Sequence, residues 1–569
     1  MALPYYKRLL LLKRFTLPVV LAFDRLHLMP LLAPIGNFAL RLFGLKKRFS
    51  PQMDYRTYGK VFAKAFPEVD RESHVVFLMM SGVNSRHNFR NMLLAKYLGK
   101  KGHHSAFLIC NGVFNICIRD RITRDRSAIP FFCTECHGGY DWLGKVTHLP
   151  IEKLGDYSDS AIQREFDGIK KAIDGLASIE ECKQFAVNNH PIGSIIKKTV
   201  LRYLTQGEFR KTDFELDVYK KQLESAALFL LIFARYLEQN PELRYVVLNN
   251  GELTFDAIAM ELAKGRKIET ITQEHFEAPN SWIYKRNGIA IQLKWEEDWQ
   301  AFRENTVLSE QQMGTVREFM QNRRVGKNMM YKYNDPGAKR FVDRAKDRKL
   351  VGLFTNFTWD TTVLDRRSIF DSMNQWLLET IRFWKETDCN ATLVVRAHPA
   401  EVKLLTSPSA QYVRDIIAGE CESENILFID STEDVNSYEV IDAMDYGIVY
   451  NSSVGLEIAF AGKPCVVAAD PHYRGKSFVL SPDSQAEYFG TLTEWNQAIE
   501  PVASDSSELY LYLYYFYFHR VKYLQGFHSG GPSTQTFVEE RDVATLLDLN
   551  ATVLDEFYSE CFNRRDAET

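Results

Sequence analysis

The sequence predicts an α/β protein built from two doubly wound domains. Three observations carry this. The chain has 569 residues, too many for one ordinary core. Near its start, two apolar runs at 75–80 and 105–110 flank a helical stretch. In its second half, short apolar runs again alternate with amphipathic ones, most clearly over 446–469. Parallel strands joined by crossover helices give that rhythm, because strands buried on both faces read as continuous apolar runs.

Composition narrows the class. Hydrophobic content of 46% and charged content of 25% suit a globular protein. A net charge of −3 argues against a general nucleic-acid binder. The charge is unevenly spread. Residues 1–52 form a basic, amphipathic segment. Lys7, Arg8, Lys13, Arg14, Arg25, Arg41, Lys46, Lys47 and Arg48 face one acid, Asp24, so residues 1–50 carry +8 and the rest −11. Its longest uncharged run, 26–40, falls short of the roughly 18–20 residues that span a bilayer, and Pro30 and Pro34 interrupt it. Lys13 and Arg14 split the apolar region that a signal peptide would need. Basic residues between apolar clusters suit a segment lying on an anionic membrane surface. The alternative is a helical hairpin packed on the domain.

In chain order, 53–71 reads as a connecting helix and loop. The strand at 75–80 leads through Ser81, Gly82, Asn84 and Ser85 into a helix at 89–101. Gly102 ends it, and 105–110 is the second strand. No Gly-x-Gly-x-x-Gly is present, so a dinucleotide site is not expected. Cys110, Cys117, Cys133 and Cys136 then cluster, with His137 adjacent. The Cys133/Cys136 pair has zinc-site spacing, so ordinary thiols, a structural zinc and an iron–sulfur remnant all stay open. Residues 150–243 read as helices covering the sheet. The sheet resumes at 245–249, turns at Asn250, Gly251 and Glu252, and continues through a helix at 254–263 and a strand at 268–272. Glu252, Asp256, Glu274 and His275 then fall at the strands' carboxyl edge. Acidic and imidazole groups there can act as a general base, and Glu252, Glu274 and His275 are the catalytic candidates. Alternatively, Glu252 is a helix-start acid and His275 a satisfied loop histidine.

Residues 322–348 read as the interdomain crossing. The second sheet opens at 350–355 and is followed by a loop with Asn356, Thr358, Trp359 and Asp360. A helix at 368–386, strands at 392–396 and 426–429 and a helix within 434–442 lead to the clearest unit. There a strand at 447–450 is followed by Asn451, Ser452 and Ser453. A helix at 454–460, closed by Gly462 and Pro464, precedes a strand at 465–469. Hydroxyls and backbone N–H groups at a helix start favour an anion such as phosphate. A plain capped crossover helix is the alternative. The loop 471–476 adds phosphate-competent groups, and 508–524 is a tyrosine-rich helix read as core packing over a sugar platform. The expected domains are 1–52, 53–325, 326–505 and 506–569.

Arg396, His398 and Pro399 after one strand, then Ser452, Ser453 and Glu457 after another, resemble the donor half of GT-B glycosyltransferases. The pattern is similar to bacterial capsule polysaccharide biosynthesis proteins, a group that includes Kdo transferases. It is also similar to sialyltransferases, polysialyltransferases and teichoic-acid glycerophosphotransferases. The resemblance is clearest over 351–480 and looser over 75–300. It implies two Rossmann-like domains facing a cleft, with C-terminal helices packing back across them. It also implies metal-independent sugar transfer from a nucleotide-sugar donor, with a CMP-sugar such as CMP-Kdo ahead of UDP- or GDP-sugars. Arg396, His398, Asn451, Ser452, Ser453 and Glu457 would bind the donor, His398 and the serines its phosphate, and Glu457 the ribose hydroxyls. No Asp-x-Asp occurs, and GT-A enzymes hold their diphosphate through a metal on that motif. No cofactor is then required for catalysis. The acceptor would be a glycan or glycolipid, at the cytoplasmic face of the cell membrane. Transfer from a CDP-glycerol-type donor, nucleotide-sugar epimerisation and a non-catalytic scaffold are the rivals.

Overall fold

The computed structural model describes residues 74–82, 85–117, 129–278, 280–327, 348–387, 391–403, 409–497, 506–529, 536–538 and 543–562. The basic segment 1–52, the stretch 53–71, most of 322–348 and the tail beyond Phe562 lie outside them. No described helix is long and apolar enough to cross a membrane. The chain divides into two compact units. The first is Met1–Val200, Arg210–Ile291 and Tyr523–Thr569; the second is Leu201–Phe209 and Gln292–Lys522.

Unit 1 is a Rossmann-like layer. Its strands are β1 (Val75–Met79), β2 (Ser105–Ile109), β3 (Ile151–Lys153), β4 (Tyr245–Leu248), β5 (Glu269–Glu274) and β6 (Ser281–Arg286). They lie in the order β3-β2-β1-β4-β5-β6, and a two-residue strand, Lys522–Tyr523, adds beyond β6. The first five are mutually parallel, while β6 runs antiparallel to β5. Every side chain of β1 and β2 is buried, which is why both read as unbroken apolar runs. Helices α1 (Ser85–Lys100), α2 (Ile129–Thr147), α3 (Ser160–Asp174), α4 (Ile192–Leu204), α5 (Asp213–Gln239) and α6 (Thr254–Lys264) intervene. Helix α5 starts on a full capping box, Thr212 with Glu215.

Unit 2 repeats the order. A helix at Glu296–Asn305 precedes α7 (Glu310–Arg324), and the unit's strands β7 (Lys349–Phe354), β8 (Ala391–Arg396), β9 (Ile426–Ile429), β10 (Tyr446–Val449) and β11 (Cys465–Val467) lie as β11-β10-β7-β8-β9. All its pairs are parallel. Helices α8 (Met373–Glu386), α9 (Ser437–Ala443) and α10 (Val454–Phe460) make the crossovers. Trp376, Trp384, Tyr446 and Tyr488 fill the core beside the sheet. Helix α11 (Ser506–Tyr514) continues into a π-helical stretch, Tyr515–Arg520.

The chain then returns to unit 1. Leu554 and Phe557 of α12 (Ala551–Cys561) join the core formed by Phe77, Met92 and Trp282. In sequence the chain passes from unit 1 into unit 2 at 291/292. Arg323 of α7 pairs with Glu457 of α10, which ties α7 to unit 2. Likewise 506–569 is not one element, since its first part belongs to unit 2 and the remainder to unit 1.

Candidate functional site

Both sheets change direction once. In unit 2 the chain leaves β7 toward β8 and β9, then returns to place β10 on β7's other side. In open parallel sheets, ligands sit beyond the carboxyl ends of the strands at such a point. Val449, Phe354 and Arg396 stand level across β10, β7 and β8. The loops that follow, with Asn451 to Ser453, Thr355 to Thr362 and His398, therefore open on one edge. Two strand spacings, about 10 Å, separate the first from the last.

His398 is fixed at the backbone. Its N–H donates to Thr355 Oγ1 at 3.1 Å, and its Nδ1 accepts the Ala400 N–H at 3.0 Å. The ring proton therefore sits on Nε2. Burial, with the Arg396 charge beside it, pushes the imidazole down to about 4. At neutral pH it is an uncharged N–H donor at the sheet edge. Arg396 is buried. Its guanidinium donates to the carbonyls of Asp430 (2.8 Å) and Val435 (2.9 Å), and it pins the turn after β9.

At β10, Ser452 rather than Ser453 does the capping. Ser452 Oγ accepts the Val454 N–H at 3.3 Å, and its carbonyl accepts the Tyr473 hydroxyl. Tyr473 is fully buried and reaches that carbonyl only because position 455 is glycine. A Cβ there would lie 2.1 Å from the Tyr473 hydroxyl oxygen. Ser453 is already helical (φ −61°, ψ −14°) and makes no side-chain cap. Its hydroxyl oxygen accepts from Arg323 at 3.3 Å, and Arg323 Nε donates to Glu457 at 2.7 Å. Glu457 is thus held by a buried guanidinium. Arg323 went unread because its partners lie more than a hundred residues away. Asn451 donates to the Thr362 carbonyl across the switch point. The Oδ1 atoms of Asn451 and Asn356, two residues past level positions on β10 and β7, are both buried without hydrogen-bond partners. Two carboxamide acceptors therefore flank the crevice.

The loop 471–476 turns inward. Lys476 pairs with Glu296 at 2.8 Å, Arg474 donates to the Ala469 carbonyl at 2.8 Å, and His472 stacks on Phe516 with centroids 4.0 Å apart. Its expected phosphate groups are engaged with the protein. The tyrosine-rich helix is packing: Tyr512, Tyr515 and Phe516 are all buried.

In unit 1 the switch point lies between β1 and β4. Glu274 ends β5 itself, rather than lying past it. Its Oε1 receives the His275 N–H at 2.8 Å and faces His87 Nε2 at 3.1 Å and His275 Nδ1 at 2.5 Å. Arg90 stands 2.8 Å from His87 Nδ1. A guanidinium can only donate, so His87 carries its proton on Nε2 and gives it to Glu274. Arg90 also donates to Gln273 at 2.6 Å, and Gln273 to Asn91 at 2.6 Å. Burial alone would raise the Glu274 carboxyl, but the imidazoles of His275 and His87 hold it well below the usual range. Burial lowers His87 against the opposing pull of Glu274. The ligand atoms of His87, Glu274 and His275 lie within 4.8 Å of one another. Arg90 makes His87 a donor toward Glu274 in this arrangement.

Asp256 behaves oppositely. Burial, with the Glu274 charge nearby, lifts its carboxyl to about 7 against the pull of the Gly251 N–H. One carboxyl kept ionised beside one poised near neutrality is the pattern that separates acid–base roles. Glu252 is buried, with its Oε1 3.3 Å from Lys198 Nζ. His87, Arg90, Asn91 and Gln273 were absent from the sequence reading. Helix α1 starts at Ser85, four residues before its apolar period begins, and this places His87 and Asn88 in its first turn. Cys110, Cys117, Cys133 and Cys136 form no disulfide. Among the described residues, no three ligand atoms from these cysteines and His137 lie mutually within 4.8 Å.

No protein-family model matches the chain, and no curated protein matches it. Among solved structures it is similar to a Thermosulfurimonas dismutans KpsC beta-Kdo 2,4 transferase at 13% identity, covering 54% of this chain and 88% of that one, with a TM-score of 0.35. A KpsC beta-Kdo 2,7 transferase of the same organism gives 15% identity, 55% and 88% coverage and a TM-score of 0.32. A Neisseria meningitidis UDP-GlcNAc 2-epimerase bound to UDP-GlcNAc gives 10% identity, 85% and 99% coverage and a TM-score of 0.22.

Proposed function

We propose that the chain is a metal-independent glycosyltransferase. In this reading it moves a sugar from a nucleotide-activated donor, a CMP-sugar such as CMP-Kdo first, to a growing capsule or cell-surface glycan. The observation that carries it is His398: a neutral imidazole whose remaining proton is fixed on Nε2, at the carboxyl edge of a Rossmann-ordered sheet. Breaking a bond from an anomeric carbon to phosphate builds negative charge on the departing phosphate. A preset N–H donor stabilises that charge without reorganising. The Asn356 and Asn451 carboxamide oxygens at the same edge are acceptors, suited to sugar or ribose hydroxyls. Within unit 1, the base that takes the acceptor proton is assigned to the cluster of Asp256, Glu274 and His275. Membrane contact through 1–52 completes the reading.

A second reading has one observation in its favour. Asp256, poised near neutrality beside ionised Glu274, also suits reversible proton transfer as in a nucleotide-sugar epimerase. Product analysis separates them, since only the first joins sugar to acceptor.

Thermal unfolding with CMP, UDP, GDP and CDP compounds tests the donor reading. A ligand at a hundred times its dissociation constant stabilises by about 2.7 kcal/mol. One nucleotide should raise Tm in the wild type and not in His398→Ala. An equal shift in both would remove His398 from the site.

A further inference from the structure

A run of polar side chains at the carboxyl edge of unit 1 starts deep in its core. Gln273 of β5 is buried. Its amide oxygen accepts from Arg90 Nε at 2.6 Å and from Trp282 Nε1 at 3.1 Å, and its amide nitrogen donates to Asn91 at 2.6 Å. Arg90 is thereby held in one place, with a terminal nitrogen 2.8 Å from His87 Nδ1. A guanidinium only donates, so the His87 ring proton is on Nε2, 3.1 Å from Glu274 Oε1. With that proton on Nδ1, the two groups would meet N–H to N–H. The same carboxylate oxygen receives the His275 backbone N–H at 2.8 Å. His275 Nδ1 stands 2.5 Å from it. Two lone pairs that close repel, so the His275 ring proton lies on Nδ1. In the neutral ring Nε2 is then left as an acceptor.

Exposure sorts the roles. The side chains of His87 and Glu274 are 7% and 13% exposed, while that of His275 is 31% exposed, so a hydroxyl from solvent reaches His275 first. Asp256 is buried and accepts the Gly251 N–H at 3.4 Å, so its carboxyl faces its own turn. We propose that His275 Nε2 takes the acceptor's proton, that Glu274 orients that ring, and that His87, set by Arg90, is a positioning residue for Glu274. The inference rests on the sugar-transfer reading and narrows its base to one atom. The acceptor's O–H bond breaks and its proton passes to Nε2. Its oxygen bonds to the anomeric carbon as the bond from that carbon to the phosphate oxygen breaks, and the electron pair leaves on phosphate. The imidazolium so formed keeps Nδ1–H against the Glu274 carboxylate, which balances its charge. A base imidazole held by a third group is a recurring catalytic arrangement. Here a second imidazole holds the holder.

The test uses the full chain with isotope-labelled histidine ring nitrogens, read by NMR at a pH where the rings are neutral. The His275 signals, identified by their loss in His275→Gln, should show the proton on Nδ1 and a bare Nε2. In His87→Ala they should shift toward a mixture of both tautomers. With donor and acceptor supplied, His275→Gln should lower kcat by about 10²–10⁴-fold, and His87→Ala by roughly tenfold or more with KM unchanged. His87→Gln, whose amide still donates, should recover most of that rate. Where His87→Ala fails to fold, the wild-type signals and His87→Gln decide. A wild-type His275 protonated on Nε2 would overturn the proposal. So would turnover lost in Asp256→Asn but kept in His275→Gln. A divalent metal bound one per chain and lost in His87→Ala would overturn it too, because a ligating Nε2 carries no proton. A chain that moves no sugar yet shows the expected tautomer would overturn the sugar-transfer reading and the proton step together. The wrong tautomer in an active enzyme would overturn the relay alone.

Discussion

His398 shows how little freedom a useful side chain keeps. The Ala400 N–H claims Nδ1, so the outward nitrogen must be the donor. His398→Gln should keep part of the nucleotide response, because a glutamine amide can also donate. His398→Ala should lower turnover by roughly a hundredfold or more, as removal of one oxyanion donor does. Asp256 supports a sharper prediction. Its folded carboxyl is held at about 7, above the ordinary aspartate value. The folded state therefore binds the proton more tightly than the unfolded one. Stability from this group is present at low pH and is lost as pH rises through about 7. Asp256→Asn should raise the urea midpoint by the equivalent of a few kcal/mol at pH 8 and change little at pH 4, while abolishing turnover if Asp256 is the base. A lower midpoint at pH 8 would contradict the assignment.

The strand–helix–strand element from β10 to β11 was legible before any coordinates. The helix at 454–460 matches α10, because Asn and Ser before an apolar run, and Gly and Pro after it, are strong local signals. What faces the helix was not legible. Glu457 stands one turn beyond Ser453, a spacing that suits a ligand contact, yet Arg323 from α7 fills the position. The same limit hid His87, since α1 begins before its apolar period does. Polar networks joined across long sequence separations leave no local pattern, whereas buried parallel strands leave a strong one. Gly455 gives a test here. Gly455→Ala should cost about 1–3 kcal/mol by pressing on the Tyr473 hydroxyl. Tyr473→Phe should recover much of that loss in the double variant. Additive losses in the cycle, followed by urea unfolding, would show that the two sites do not touch.

Two units with the same strand order account for the chain's length and its repeated rhythm. Doubly wound sheets were implied by the βαβ pattern and by the GT-B resemblance. The boundaries were not, because the chain enters unit 2 at 292 and returns to unit 1 at 523. Short composition shifts do not record which core a helix joins. The charge asymmetry of 1–50 leads to an expectation for the whole chain: deleting 1–48 should release it from anionic vesicles in low salt, measured by sedimentation. Equal binding of both forms would assign membrane contact elsewhere.

A structure with the stabilising nucleotide bound examines the main claim most closely. It should place a phosphate oxygen about 2.7–3.2 Å from His398 Nε2, over the edge shared by β7, β8 and β10. A nucleotide seated elsewhere, with His398 untouched, would contradict it.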